Sequence, residues 1–304
     1  MKLGHIISAS QFDKKTLAEL FALTDKIKSG KYNKEALKGK IMATLFYEPS
    51  TRTRLSFESA MHRLGGSVIS TENAAEFSSA IKGETLEDTI RIVQSYCDII
   101  VLRHFKPGAS EIAAKYAKVS IINGGDGNGE HPTQALLDLY TIFSKFKNKG
   151  FTIAMIGDLT NGRTIHSLSY LLSLYPKLKI IFVSPQDLSI PKSLRTHLRD
   201  QSINFTETED LKSALTKADV IYQTRIQKER FASLKEYKKY FGKYIIDAKL
   251  MSVAGENAIL LHPLPRVNEI TADVDDDPRA IYFEEAKNGV FIRMALLLSI
   301  FDKS

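Results

Sequence analysis

The sequence predicts an α/β protein made of two doubly wound domains, each with a mainly parallel sheet flanked by helices. Three observations support this prediction. Short apolar runs alternate with segments of helical spacing along most of the 304 residues, which is typical of parallel sheets covered by helices. That length suits two domains of about 150 residues each. A Lys-Asn-Lys-Gly turn at 147–150 separates one alternating series from the next.

The predicted strands are short apolar runs bounded by polar or turn-forming residues. In chain order they lie near 40–47, 66–70, 99–103, 119–123, 151–156, 179–183, 220–223, 244–247 and 259–261. Between them, helical spacing predicts helices that include 51–64, 85–96 and 131–146. A long apolar helix near 290–301 closes the sequence and must dock on one of the two domains.

The run Ser50-Thr51-Arg52-Thr53-Arg54 lies between the first predicted strand and the helix that follows it. Ser50 or Thr51 can cap that helix, and the N–H groups and positive dipole end of its first turn then point at one spot. Two hydroxyls and the guanidinium groups of Arg52 and Arg54 are expected to converge there. Such a site suits a tetrahedral dianion, above all a phosphate, which Arg binds bidentately. The alternative is a capped helix with a solvated basic first turn.

Other polar residues follow the predicted strands one after another. In open parallel sheets ligands bind beyond the carboxyl ends of the strands, so we expect these residues to line one edge of each sheet. Exposed loops are polar in any case, but that alternative predicts mixed charge signs. The residues nearest the strand ends are instead mostly Arg and His, namely Arg52, Arg103, His104, His131, Arg163, Arg225, His262 and Arg266.

His131 and Gln134 open the predicted helix 131–146, with Pro132 suited to its first turn. Their spacing lets them share a face. An imidazole beside an amide suits a polarised carbonyl, and no second His lies four residues away to hold a metal. A histidine that only caps the helix is the alternative.

Two further segments are candidates for ligand contact. In His262-Pro263-Leu264-Pro265-Arg266 the prolines keep the backbone extended or kinked and leave carbonyls outside any ladder. Those carbonyls can accept hydrogen bonds from a ligand, unless the segment is only a rigid loop. The polar loop 77–84 contributes Ser78 and Lys82 as candidate phosphate-binding groups, unless the lysine is only solvated.

Composition narrows the function classes. The sequence has 42 basic and 35 acidic residues, a net charge of +7, which suits nucleic acid or anionic small substrates. Its lysines are scattered, without an RNP-like motif or zinc-knuckle spacing, which makes nucleic acid the weaker interpretation.

Cys97 is the single cysteine, so no intrachain disulfide or Cys-rich metal site forms, and a reducing cytoplasm fits. No signal peptide or apolar run of ~20 residues is present. We therefore expect a cytoplasmic protein without membrane contact, metal or cofactor.

Several motifs occur in one order along nearly the whole sequence: STRTR, KGET, HPTQALLDL, MIGDL..GRT.HSL, TR.QKER and HPLPR. Together they resemble the catalytic chains of the aspartate carbamoyltransferase family. Ornithine carbamoyltransferases share the phosphate-binding half, but typically have Cys at the position of Pro263 and an SMG loop that this sequence lacks. The aspartate branch is therefore preferred. One departure is Ile81, where some members have a second Lys.

The resemblance implies a carbamoyl phosphate-binding domain of residues 1–133 plus 285–304 and an aspartate-binding domain of residues 134–284. Helices near 131–146 and 285–301 would link them. It also implies a homotrimer with active sites shared between neighbours, and leaves open whether a regulatory subunit binds.

The resemblance also implies roles for individual residues. Carbamoyl phosphate is assigned to Ser50, Thr51, Arg52, Thr53, Arg103, His131 and Gln134, with backbone contributions from Leu264 and Pro265. Aspartate is assigned to Arg163, Arg225 and Gln227. The adjacent subunit would donate Ser78 to carbamoyl phosphate and Lys82 to both substrates. The implied catalytic residues are Arg52, Thr53, Lys82, Arg103, His131 and Gln134.

The implied reaction is attack by the α-amino group of L-aspartate on carbamoyl phosphate, giving N-carbamoyl-L-aspartate and phosphate in pyrimidine biosynthesis. No covalent nucleophile or cofactor is needed. An ornithine-type transferase is the first alternative, disfavoured because a cationic side chain would lie beside Arg163 and Arg225. A basic nucleic-acid-binding α/β protein is an alternative from another class. A nicotinamide dehydrogenase is disfavoured because the segment 157–163 lacks G-x-G-x-x-G.

Overall fold

The computed structural model describes residues 3–74, 82–147, 149–228, 231 and 233–302. The chain divides into two compact units, Met1–Leu136 with Lys287–Ser304, and Leu137–Ala286. Each division falls inside a helix. The functional domain limits expected from the sequence, 133/134 and 284/285, stay a prediction.

The first unit is built on a four-stranded parallel sheet in the order β2-β1-β3-β4. A short 3-10 helix, Ala9–Gln11, precedes the first α-helix. The elements in chain order are α1 (Lys14–Lys28), β1 (Ile41–Phe46), α2 (Thr51–Arg63), β2 (Ser67–Glu72), α3 (Leu86–Val93), β3 (Ile99–His104), α4 (Ala109–Tyr116), β4 (Ser120–Asp126) and the start of α5 (Pro132–Phe146), whose residues from Leu137 belong to the second unit.

The second unit carries a five-stranded parallel sheet in the order β7-β6-β5-β8-β9. Short 3-10 helices occupy Gln186–Leu188 and Ala272–Asp276. The elements in chain order are β5 (Thr152–Ile156), α6 (Arg163–Leu172), β6 (Lys179–Val183), α7 (Lys192–Asp200), β7 (Asn204–Thr208), α8 (Leu211–Leu215), β8 (Val220–Gln223), α9 (Leu234–Lys238), α10 (Ala248–Met251), β9 (Ile259–Leu261) and the start of α11 (Tyr282–Phe301), whose residues from Lys287 belong to the first unit.

Both sheets have apolar central strands because helices cover both of their faces. In β1 every residue from Met42 to Phe46 is buried, and β3 is buried along its whole length. The edge strand β2 is mostly exposed and carries Ser, Thr and Glu. The predicted fold class, two doubly wound α/β units with parallel sheets, is confirmed.

The strand order reverses once in each sheet, between β1 and β3 in the first unit and between β5 and β8 in the second. Such a switch point opens a crevice at the carboxyl ends of the strands, because the connections leave the sheet in opposite directions. It is therefore the place in each unit where a ligand site is expected.

Three predictions of secondary structure need correction. The strand predicted at 244–247 is wrong: Ile246 forms an isolated bridge with Ile270, because the next residue, Asp247, caps α10 through its side chain. The strand β7 was missed because it is a polar edge strand without an apolar run. The final helix begins at Tyr282, before the predicted residue 290, since its first turns are polar. None of the described helices has the length and apolarity of a bilayer span.

Candidate active site

At the switch point of the first unit, α2 begins directly after the end of β1. Ser50 occupies the N-cap position, but its side chain makes no capping hydrogen bond. Its ψ of 86° lies outside the extended conformation usual for a capping side chain. The prediction that Ser50 or Thr51 caps the helix is therefore corrected: the N-cap hydroxyl is not used to satisfy the first turn, whose N–H groups and dipole favour an anion.

Arg52 and Thr53 lie in the first turn of α2. The side chain of Arg52 is exposed, although part of it is covered by neighbouring residues. That coverage lowers the pKa of the guanidinium from its ordinary value, but Arg stays protonated at neutral pH. Thr53 is buried, and its Oγ1 lies 3.5 Å from Nε2 of His131. The fold thus brings together two predicted site residues that are distant in the sequence.

Arg54 does not join this group. Its Nη1 lies 3.3 Å from Glu58 Oε1 and its Nη2 lies 2.7 Å from Glu72 Oε2. Nη1 also donates to Ser70 Oγ at 3.2 Å. The expectation that both guanidinium groups converge on one spot is wrong, because carboxylates on α2 and β2 bind the second one. Of the two arginines in this run, only Arg52 stays a candidate for binding the anion.

Arg103 lies near the carboxyl end of β3, across the switch point from α2. It is 8% exposed, its Nη1 donates to the carbonyl of Gly124 at 3.1 Å, and its Nη2 lies 2.7 Å from Glu48 Oε2. Sequence reasoning missed Glu48, although its position just before the Ser50 run is a signal that could have found it. Glu48 neutralises Arg103 in this structure, so an anionic ligand of Arg103 must compete with it.

His131 and Gln134 are both buried at the start of α5. Pro132 is the first residue of that helix, as predicted. The carbonyl of His131 accepts the N–H groups of Gln134 and Ala135, each at 3.1 Å. The first turn therefore holds the imidazole and the amide in one buried region, with Thr53 against the imidazole.

Two predicted residues come from the loop before α3. Lys82 is exposed and lies in a short turn at the start of the described part of that loop. Ser78, and the departure at Ile81, lie outside the described residues. Nothing in the first unit tests the expectation that this loop serves a neighbouring subunit.

At the switch point of the second unit, the loops after β5 and β8 carry the predicted aspartate-binding residues. Arg163 is the first residue of α6, while Arg225 and Gln227 follow β8. All three are half-buried. Gln227 Nε2 donates to the carbonyl of Asn161 at 3.1 Å, so the two loops are joined.

The start of the loop after β5 is held by a buried carboxyl. The carboxylate of Asp158 accepts the backbone N–H of Asn161 at 3.0 Å. The side-chain Nδ2 of Asn161 also donates to this carboxylate. Gly157 has a φ of +126°, and a Cβ there would clash with the carbonyl oxygen of Thr224. The ends of β5 and β8 therefore approach as closely as glycine allows.

The segment His262–Arg266 follows β9. The imidazole of His262 is buried, with Nδ1 accepting the N–H of Leu264 at 2.8 Å and Nε2 donating to Glu269 Oε1 at 2.8 Å. No described N–H is bonded to the carbonyls of Leu264 or Pro265, as predicted for a segment outside any ladder. Arg266 is held by Asp275 through both terminal nitrogens, each at 2.5 Å.

Two of the histidines predicted as basic residues carry no charge at neutral pH. Burial, aided by Lys106, lowers the pKa of His104 to about 4, and its Nδ1 accepts the N–H of Lys106 at 2.9 Å. Burial also lowers the pKa of His262 despite its contact with Glu269. With these two histidines removed, the arginines of the predicted row are Arg52 and Arg103 in the first unit and Arg163, Arg225 and Arg266 in the second, and Arg266 is paired with Asp275.

The described residues contain no group of His, Cys, Asp and Glu arranged to hold a metal ion. What the two switch points offer is a set of hydroxyl, amide, imidazole and guanidinium groups. These groups bind and stabilise anions by hydrogen bonding and charge, and none is an activated nucleophile.

Comparison with known proteins agrees with this chemistry. A family model described as the aspartate/ornithine carbamoyltransferase carbamoyl-P binding domain matches residues 4–144, and one described as the Asp/Orn binding domain of the same family matches residues 149–300. The chloroplastic aspartate carbamoyltransferase of Arabidopsis thaliana is 56% identical over 301 residues, covering 97% of this chain and 77% of that protein.

Solved structures give the same result. The catalytic subunit of M. jannaschii aspartate transcarbamoylase is 47% identical, with a TM-score of 0.89 and 98% of each chain covered. Aspartate transcarbamoylase from Trypanosoma cruzi, in complex with N-(phosphonacetyl)-L-aspartic acid, is 42% identical with a TM-score of 0.92, covering 99% of this chain and 97% of that one. This chain therefore belongs to the aspartate/ornithine carbamoyltransferase family.

Proposed function

We propose that this protein is an aspartate carbamoyltransferase: it transfers the carbamoyl group of carbamoyl phosphate to the α-amino group of L-aspartate. The products are N-carbamoyl-L-aspartate and phosphate, and the reaction belongs to pyrimidine biosynthesis. One observation carries the proposal. Two arginines of the predicted row lie near the switch point of each unit, Arg52 and Arg103 in the first and Arg163 and Arg225 in the second, which matches a phosphate dianion and a dicarboxylate as the two substrates.

The phosphate group is bound at the start of α2. Ser50, Thr51, Arg52 and Thr53 surround it, and the first-turn N–H groups and the helix dipole add to the attraction. Arg52 is exposed and available for bidentate contact. The absence of a capping bond from Ser50 supports this role, since its hydroxyl is then available to the ligand.

The carbamoyl group is polarised by Arg103, His131 and Gln134. The 3.5 Å contact between Thr53 and His131 shows that the hydroxyl and the imidazole share one region. The carbonyls of Leu264 and Pro265 accept hydrogen bonds from the carbamoyl amide. Arg163, Arg225 and Gln227 bind the carboxylates of aspartate by charge-assisted hydrogen bonds.

In the reaction the aspartate nitrogen forms a bond to the carbamoyl carbon, and the bond from that carbon to the phosphate oxygen breaks. Thr53, Arg103 and His131 stabilise the tetrahedral oxyanion between these two events. The leaving phosphate accepts the proton of the attacking amine, so no carboxylate base is required. Catalysis comes from orientation and from preorganised charge.

Binding of carbamoyl phosphate exchanges one anion for another at Arg103. The ion pair between buried Arg103 and half-buried Glu48, 2.7 Å long, holds the guanidinium before the substrate arrives. Leaving the buried guanidinium without an anionic partner would be unfavourable, because its charge is largely removed from water. A dianionic substrate supplies that replacement, which favours it over neutral ligands.

We further propose a homotrimer in which the adjacent subunit donates Ser78 and Lys82. Large apolar side chains exposed on the first unit support an interface there, among them Leu55, Ile69, Ile92, Tyr96 and Phe105, which are 42–60% exposed. Whether a regulatory subunit binds stays open. A cytoplasmic location also stays a proposal, resting on cysteine usage.

The test is a parallel assay with purified protein. Carbamoyl phosphate is supplied with L-aspartate or with L-ornithine, and the carbamoylated product is identified by mass. We expect carbamoyl aspartate and no citrulline, because the cationic side chain of ornithine would lie beside Arg163 and Arg225. Equal or better turnover of ornithine would overturn the assignment.

A further inference from the structure

Three buried side chains of the second unit form a polar cluster beneath the segment His262–Arg266. They are Asp138 on α5, Tyr222 on β8 and Glu285 in the first turn of α11, each no more than 1% exposed. The hydroxyl of Tyr222 donates to Asp138 Oδ2 at 2.7 Å. The carboxyl groups of Asp138 and Glu285 face each other closely enough for a hydrogen bond. None of the three is among the residues assigned to either substrate.

A hydrogen bond between two carboxyl groups requires a proton between them, because two carboxylates at that distance repel each other. Oε1 of Glu285 is buried, and no N–H or O–H group of the described residues reaches it. Asp138 already accepts the hydroxyl of Tyr222, so the proton belongs on Glu285. Burial, and next the charge of Asp138, raise the pKa of Glu285 well above its ordinary value. The pair then carries one negative charge, which the N-terminus of α11 tolerates.

The other oxygen of Glu285 contacts the candidate active site. Oε2 accepts the backbone N–H of His262 at 2.8 Å. The ring of the same histidine is held by Glu269 on one nitrogen and by the N–H of Leu264 on the other, both at 2.8 Å. Backbone and ring of His262 are thus held separately, which orients the carbonyls of Leu264 and Pro265.

The cluster continues to the aspartate-binding residues. The side chain of Tyr222 is hydrogen-bonded to Thr164 as well as to Asp138. Thr164 follows Arg163 in the first turn of α6. One buried row of hydrogen bonds therefore joins the start of α6 to the segment that carries Leu264 and Pro265.

We propose that Glu285 is a positioning residue for carbamoyl transfer: as a neutral acid bonded to Asp138, it holds the His262 N–H and so orients the carbonyls of Leu264 and Pro265. The positioning role rests on the proposed function. The proton on Glu285 does not, because it follows from the packing of the second unit alone.

The direction of the pH effect follows from the groups that face Glu285. These are Asp138 from α5, Tyr222 from β8, and His262 with its partner Glu269 from the segment after β9. In the unfolded chain Glu285 loses its proton near pH 4.3, whereas the folded chain keeps it to higher pH. The folded state then binds more protons, so this group's contribution is complete below about pH 4.3 and is lost as pH rises through the raised pKa.

The test compares Glu285→Gln, Glu285→Leu and the matched control Glu284→Gln. Glutamine imitates the neutral acid, since its oxygen accepts from His262 and its amide donates to Asp138. Leucine removes both bonds. Glu284 is the adjacent residue in α11, is 38% exposed and pairs with Lys145, so its variant removes one charge from the same turn outside the cluster.

Three measurements are made on each protein: kcat and KM against pH, the denaturant midpoint against pH, and infrared spectra at neutral pH in H2O and D2O. We expect Glu285→Gln to keep the kcat of the unsubstituted chain and to lose its decline in stability at rising pH. Glu285→Leu should lower kcat on the order of 100-fold, the scale expected for a misplacement of about 1 Å. Glu284→Gln should keep the original profiles.

The infrared spectrum reports the proton directly. We expect the carbonyl band of a protonated, deuterium-sensitive carboxylic acid in the unsubstituted chain and in Glu284→Gln, and its loss in Glu285→Gln. Absence of that band, or a glutamine variant as inactive as the leucine variant, would overturn the proposal. If the unsubstituted chain does not carbamoylate aspartate, the proposed function and the positioning role both fail. The band and the pH slope then still decide whether Glu285 is protonated.

Discussion

The arginines near the carboxyl ends of the strands differ in burial and in whether a carboxylate neutralises them, because each has different neighbours. Arg54 is bound by Glu58 and Glu72, whereas Arg52, two residues earlier on the same helix, is exposed. Arg103 is buried and neutralised by Glu48. The residue type alone therefore does not identify an anion-binding arginine, since the partner supplied by the fold decides it.

Arg52 is expected to contribute most to binding and polarising the leaving phosphate. Arg52→Ala should lower kcat by about 10²–10³, the loss seen when one donor to developing charge is removed. Cooperative unfolding should persist because the side chain is exposed. Arg63→Ala, in the last turn of the same helix, is the control and should keep full activity. Steady-state kinetics and a denaturant titration check both points, and loss of the unfolding transition in Arg52→Ala would indicate a structural role instead.

Arg225 is expected to serve aspartate rather than carbamoyl phosphate. Arg225→Ala should raise the KM for aspartate on the order of tenfold or more, since a charge-assisted hydrogen bond is worth about 1.5–3 kcal/mol. The KM for carbamoyl phosphate should change much less. Lys228→Ala, an exposed cation three residues further along the same loop, is the control. The reverse pattern of KM values would contradict the assignment of Arg225 to aspartate.

At the scale of elements, the position of the candidate residues follows from where strands end and helices begin. The sites at α2 and α6 each begin directly beyond a central strand, and the loops after β3 and β8 lie across the switch points from them. The crevice is therefore a property of strand order. Its width in the second unit depends on Gly157, which lets β5 approach the end of β8.

Gly157→Ala should destabilise the second unit by about 2–4 kcal/mol. The alanine would have to adopt a φ of +126°, which is strained for any residue with a Cβ. Its Cβ would also clash with Thr224, whose Oγ1 lies 2.6 Å from the ideal Cβ position. Gly255→Ala is the matched control, since nothing lies within 4 Å of its ideal Cβ, and it should stay within about 0.5 kcal/mol. Denaturant midpoints of the two variants give the comparison. Equal midpoints would show that β5 and β8 can separate without cost.

At the scale of the whole molecule, two similar α/β units carry different chemistry. The first unit presents hydroxyls and an imidazole beside its arginines, which suits a phosphate ester and a developing oxyanion. The second presents arginines and an amide, which suits carboxylates. Exposed apolar residues on the first unit, including Ile69 and Phe105, are candidates for the interface of the proposed homotrimer.

The proposed sharing of active sites between subunits makes a prediction that only an assembly can test. Lys82→Ala and Arg52→Ala are each expected to retain only a small residual activity, for different reasons. When the two are mixed, dissociated and reassembled, some sites should take intact Lys82 from one chain and intact Arg52 from another, so activity should partly return. Mass or charge must confirm the hybrids. Hybrids as inactive as their parents would mean that Lys82 acts within its own chain or has no role.

The sequence by itself determined the fold class, because apolar runs of strand length alternate with helical spacing over both units. It also predicted that Arg52, Arg103, Arg163 and Arg225 lie at or just beyond strand ends, as they do, while their roles in binding stay a prediction. The polar edge strand β7 could not be found in this way. Its residues are exposed or half-buried, so no run of apolar residues marks the strand.

Only the tertiary structure decided which polar groups are paired and which are charged. The contacts of Glu48 with Arg103 and of Glu72 with Arg54 are made by the fold, and they set the charge that a ligand meets. The proton on Glu285 has the same origin, since it depends on Asp138, which lies far away in the sequence. Hydrophobic periodicity is a local property that a sequence displays, whereas ionisation depends on burial and on neighbours that only packing brings together.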